Sequence, residues 1–115
     1  MGVVARMKSL AGGITIPTLA SAATLTLPQD TSRAFITGST TITSLNATDI
    51  KPGRTFTFLR GPAATDIPVF TNTQGTTTAG QIDFNTNQST IQLYDTLTLI
   101  QTNTGSWRKK DSTTV

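Results

Sequence analysis

Cysteine, histidine and glutamate are all absent from the 115 residues. Without cysteine there is no disulfide framework and no thiol nucleophile. Without histidine there is no Ser-His-Asp triad and no Cys/His metal site. The lack of glutamate, with lysine at only four positions, removes much of the usual helix-forming surface. Charged residues make up only 13%, and hydrophobic residues, at 36%, fall below the ordinary globular share of ~45–50%. No run approaches the ~20 apolar residues of a membrane-spanning helix, so no membrane partner is expected. What fills the gap is threonine, at 26 positions. Threonine is β-branched and suits a pleated surface with one wet face, so the composition points to an all-β protein. At 12.2 kDa the chain has room for one folding unit.

The net charge of +3 invites a nucleic-acid reading until the charges are located. Arg6 and Lys8 stand near the start, and Arg108, Lys109 and Lys110 near the end. Residues 11–107 hold four basic and five acidic side chains, so the body is close to neutral. Nucleic-acid binders spread cations along a face with stacking aromatics among them, whereas here the aromatics alternate with threonine as core residues do. No nucleic-acid partner is expected. Basic ends on a near-neutral body suit docking onto an acidic protein surface, with solvated tails as the plainer reading.

Residues 1–22 superficially imitate a secretory leader, but Gly12, Gly13, Thr15, Pro17 and Thr18 interrupt the apolar stretch, and a cleaved leader is not expected. The segment reads as an extended arm. It is too rich in small residues to build its own core, yet Val3, Val4, Leu10, Ile14, Ile16 and Leu19 are able to lie along another protein's surface while Arg6 and Lys8 meet acidic groups.

From residue 23 to 110 the chain alternates apolar and polar residues in short segments between turn residues, the period-2 mark of half-buried strands. These lie around Leu25 and Leu27, over 33–37, over 41–45, over 54–60, and at 67–71, 81–84, 90–94, 96–100 and 106–110. The clearest is Arg54-Thr55-Phe56-Thr57-Phe58-Leu59-Arg60, preceded by Lys51-Pro52-Gly53-Arg54, whose proline and glycine suit a type II turn. Eight or nine short strands at this spacing predict an antiparallel jelly-roll-like β-sandwich, with residues 111–115 as a tail. Strand edges poor in lysine predict self-association, a homotrimer being the expected form. The Thr-X-Thr pairs follow no fixed repeat length, so neither a solenoid nor an ice-binding array is expected.

Chemistry finds little footing. The six aspartates each fall near turns, where the side chain caps local backbone, and their spacing matches no calcium loop. No catalytic residue, metal or cofactor is expected. Asn46-Ala47-Thr48 and Asn87-Gln88-Ser89 match the glycosylation pattern, as a Thr- and Ser-rich chain does by chance.

The order of segments carries more information. Leu25-Thr26-Leu27-Pro28, Phe35-Ile36-Thr37-Gly38-Ser39-Thr40-Thr41-Ile42-Thr43-Ser44-Leu45, Pro52-Gly53-Arg54-Thr55-Phe56-Thr57-Phe58, Asp95-Thr96-Leu97-Thr98-Leu99 and Gly105-Ser106-Trp107 together resemble a β module of tailed-bacteriophage virion proteins. Two departures are Asp95 where the pattern has glycine, and the basic run after Trp107. The resemblance implies a non-enzymatic virion structural protein on the outer surface of the particle. The first expectation is a capsid decoration or cement protein that binds the major capsid protein through its arm. The alternative is a small tail, fibre or knob component with host-surface binding. A secreted adhesin or carbohydrate-binding domain ranks behind both.

Overall fold

The computed structural model describes residues 16–46 and 49–110. These form eleven short strands and no helix: β1 (Thr18–Ala20), β2 (Thr24–Thr26), β3 (Arg33–Thr37), β4 (Thr41–Ile42), β5 (Ser44–Asn46), β6 (Thr55–Arg60), β7 (Val69–Thr71), β8 (Ile82–Asp83), β9 (Thr90–Gln92), β10 (Thr96–Gln101) and β11 (Trp107–Lys109). Each segment read from alternation contains a strand. The 41–45 segment breaks at Thr43, whose amide and hydroxyl both turn to the Ala23 carbonyl, at 2.8 and 2.7 Å.

The pairing differs from an antiparallel jelly-roll sandwich. β1 pairs in parallel with β3, β3 with β6, β2 with β5, and β4 with β7. Successive passes of the chain therefore stack in the same direction, as in a solenoid. The first pass supplies β1 and β2, the second β3, β4 and β5, and the third β6 and β7 before running past β5, where the Gly80 carbonyl accepts the Leu45 amide at 2.8 Å. The chain then reverses. β9 returns antiparallel along β7, β10 along β6 and β11 along β10, and β11 also lies parallel to β8. The main sheet has the order β1-β3-β6-β10-β11-β8.

Local chemistry explains the parallel course. Pro28 has no amide to extend a ladder, and the polar residues after it make a wide corner instead of a two-residue hairpin, so β3 arrives beside β1 pointing the same way. The passes lengthen along the chain, with partners 17 positions apart at Thr18↔Phe35, 20 at Thr24↔Ser44, 24 at Arg33↔Thr57 and 28 at Thr41↔Val69. A stack of unequal passes leaves no fixed period in the sequence, and the expectation against a solenoid rested on that missing period. Alternation tells which side chains face inward but not which way the neighbouring strand runs. The body also starts earlier than residue 23, because Thr18–Ala20 forms the edge strand β1.

Register brings like against like inside the stack. Leu25 faces Leu45, Ala34 faces Phe58 and then Leu97, and Ile42 faces Phe70 and then Ile91; all but the half-buried Ile91 are buried. Four rings run through the core, with centroids 5.0 Å apart for Phe56–Phe58, 5.2 Å for Phe58–Phe70 and 6.2 Å for Phe70–Phe84. A large side chain taken fully out of water contributes ~1.5–3 kcal/mol, so this interior carries most of the stability.

Candidate functional site

Of the residues expected to bind a partner through the arm, Val3, Val4, Arg6, Lys8, Leu10 and Ile14 lie outside the described residues. Ile16 is half-buried and lines a groove of about 560 Å³ at one corner of the stack. Two corners meet there. One is the β2–β3 connection, and the other is the turn ahead of β6, where the Arg54 backbone amide donates to the Lys51 carbonyl at 2.9 Å and Gly53 takes a φ of 88°. That left-handed residue is the glycine the type II reading required.

Stacking these corners gathers three of the body's four basic residues, Arg33, Lys51 and Arg54, around one groove, which also holds Asp30. The Arg54 guanidinium is fixed, donating from Nη2 to the Pro28 carbonyl at 2.8 Å and lying 5.9 Å from the centre of the Phe56 ring. Arg33 and Lys51 are exposed, and among the described residues no ion pair ties Asp30 to any of the three. Sequence reasoning missed this cluster because it counted the body as neutral and its members come from different passes. The fourth basic residue, Arg60, donates from Nε to the Asp66 carbonyl at 2.7 Å and from Nη2 to the Ala64 carbonyl at 3.3 Å.

Asp66 is the clearest structural carboxylate. It is buried, and its Oδ1 accepts the Gly38 amide at 2.8 Å while Oδ2 accepts the Ala63 amide at 2.9 Å, fastening the turn after β3 to the loop after β6. Gly61 makes the fit possible, since a Cβ there would collide with the Asp66 carboxylate. The Gly38 bond, then the Ala63 bond, hold the Asp66 carboxyl below its ordinary value of 3.8 against the opposing effect of burial, with the Arg60 charge adding a smaller contribution. A depressed carboxyl stabilises the fold fully above its unfolded value and loses that contribution as pH falls through the folded one. Thermal melts should therefore show stability decreasing below pH 3.8. Asp66→Asn should melt lower at neutral pH, because one of the two amides loses its acceptor, and should decline less steeply in acid. Asp83 plays a similar part, accepting from the Gly75 amide at 3.1 Å and the Asn85 amide at 2.8 Å.

Trp107 is fully buried in β11, opposite Gln101 of β10 and Ile82 of β8. It is a core residue and presents no face to a ligand. The exposed aromatic is Tyr94, at 71%, beside a groove of about 680 Å³ floored by β9. Tyr94 and Ile50 are the only large hydrophobics that are exposed among the described residues. Strand edges offer a route to association that needs no broad apolar face. The outer edges of β1 and β2 carry no strand among the described residues. No group of three Asp side chains able to hold a metal occurs among them.

Comparison of the chain with protein-family models, with curated proteins and with solved structures finds no match.

Proposed function

We propose that the chain is a non-enzymatic structural module of a tailed-bacteriophage particle, held in place by association with copies of itself and with a neighbouring virion protein. The observation that carries this reading is the set of open strand edges. The first pass leaves β1 and β2 with no strand on their outer sides among the described residues, and β9 is likewise an edge of its own sheet. An unpaired edge is a template for strand addition from another chain, and main-chain hydrogen bonds then supply affinity without a large apolar patch. The two buried carboxylates are occupied by backbone amides, which supports a structural role for them.

Two placements follow. Decoration of the capsid shell would use the arm residues, with repeated weak contacts made effectively intramolecular once subunits are linked. Placement in a small tail, fibre or knob component is favoured by the open first pass, which suits continuation of an elongated shaft. Gold-labelled antibody against the purified protein, applied to intact particles of the phage that encodes it, tests both. Label at the tail supports the fibre placement and label over the shell the decoration placement. Particles free of the protein by both labelling and mass spectrometry would contradict the proposal.

A further inference from the structure

The corner groove has a chemistry that the structural role does not use. Arg33 opens β3, Lys51 begins the turn ahead of β6, and Arg54 ends that turn; the stacking of passes, not proximity in sequence, places them around about 560 Å³ of open space. That volume lies within the ~300–1,000 Å³ of small-molecule sites. Three cations against the single carboxylate of Asp30 leave the groove positive, and no ion pair among the described residues discharges it. The Arg54 fork is already oriented by the Pro28 carbonyl and the Phe56 ring, so a ligand need not order it. The lining also includes Gln29, Ser32 and Thr31, whose side chains donate and accept hydrogen bonds without charge, the Thr31 hydroxyl already meeting the Arg33 backbone at 3.3 Å.

We propose that this groove binds an acidic saccharide, its carboxylate or phosphate group held by Arg33, Lys51 and Arg54 and its hydroxyls by the neutral polar side chains. The cations define the anionic group, since a guanidinium fork matches the planar oxygens of carboxylate or phosphate and an ammonium supplies a point charge. The hydroxyl and amide side chains define the rest of the ligand as a polyol. Among the described residues no aromatic ring lines the groove, so a nucleobase would lack the stacking surface that single-stranded nucleic acids use. The inference rests on this groove alone and not on the particle placement, so labelling and binding experiments succeed or fail separately.

Calorimetric titration of the full chain at low ionic strength tests it with four probes: trigalacturonate, a phosphorylated trisaccharide, maltotriose as the neutral control, and inorganic phosphate. At least one acidic trisaccharide should bind ten-fold or more tightly than maltotriose and more tightly than inorganic phosphate, and its affinity should fall as salt is raised. Whichever of the two binds identifies the anionic group. The double variant Arg33→Ala/Lys51→Ala removes two exposed cations, leaves the Arg54 contacts in place, and should retain the wild-type melting temperature while losing ten-fold or more in affinity. Equal binding of maltotriose, no binding by either acidic trisaccharide, inorganic phosphate binding as tightly as the saccharides, or a folded double variant with undiminished affinity would each overturn the proposal.

Discussion

Trp107→Ala should lower stability by ~3–5 kcal/mol, the loss typical of a large aromatic cut from a packed interior. Trp107 has no exposed surface, sits between β10 and β8, and is the largest fully buried side chain. Against a total of ~5–15 kcal/mol for an ordinary domain, such a loss should drop the melting temperature by roughly 12–20 °C and leave part of the population unfolded near 37 °C. Trp107→Phe should behave differently. The indole Nε1 is buried with no hydrogen-bond acceptor, and an unmade bond of that kind costs ~1–3 kcal/mol. Phenylalanine gives up packing volume but also removes the unpaired donor, so its net loss should be ~1–2 kcal/mol. As the single tryptophan, residue 107 also reports on wild-type folding, with emission shifting to the red as the ring meets water. A Trp107→Ala protein that melts with the wild type would contradict the buried position.

Phe58→Ala should be comparably damaging, also by ~3–5 kcal/mol. Its ring touches both neighbours in the aromatic run, Phe56 within its own strand and Phe70 on the sheet formed by β4, β7 and β9. In the main sheet its register partners are Ala34 and Leu97, both buried, and the small Ala34 leaves room beside the ring. Truncation opens a cavity where the two sheets meet, and rigid strands on both sides limit its collapse. Phe35→Ala serves as the internal control. Phe35 is half-buried on the opposite face of β3, so the expected loss is ~1 kcal/mol. Equal losses for the two variants, measured by denaturant titration, would mean that the inward and outward faces have been misassigned.

The inward faces of β6 and β10 were legible in the sequence, because strand alternation is a local property; that of β3 was not, since Phe35 is its largest apolar residue yet Ala34 and Ile36 are the buried ones. Phe56 and Phe58 two positions apart, or Leu97 and Leu99, declare an inward face wherever the strand finally lies. The β3 bounds at 33–37 and the turn at Gly53 were legible for the same reason. Strand direction was not. It depends on whether a connection reverses the chain or carries it around a corner, and corners of unequal length produce no repeat to read. β1 escaped notice because Thr18, Leu19 and Ala20 form too short and mild a pattern alone; β3, pairing in parallel, makes them a strand. Asp66 was legible as a turn residue, but not as the link to the Gly38 amide 28 positions away. The basic groove was invisible for a similar reason, since Arg33 and Arg54 approach only when one pass lies on the next.

Self-association through the open first pass should be visible in sedimentation velocity of the full chain across micromolar concentrations. A discrete homo-oligomer is expected, a trimer of about three times the 12.2 kDa chain mass. Ala20→Pro removes an outward-facing β1 amide, since the Pro17 carbonyl and the Ser21 amide on either side of the strand bond to β3; it should shift the distribution toward monomer while the core, read by Trp107 emission, stays folded. A single species of 12.2 kDa at every concentration, with Ala20→Pro indistinguishable from wild type, would contradict self-association through the first pass.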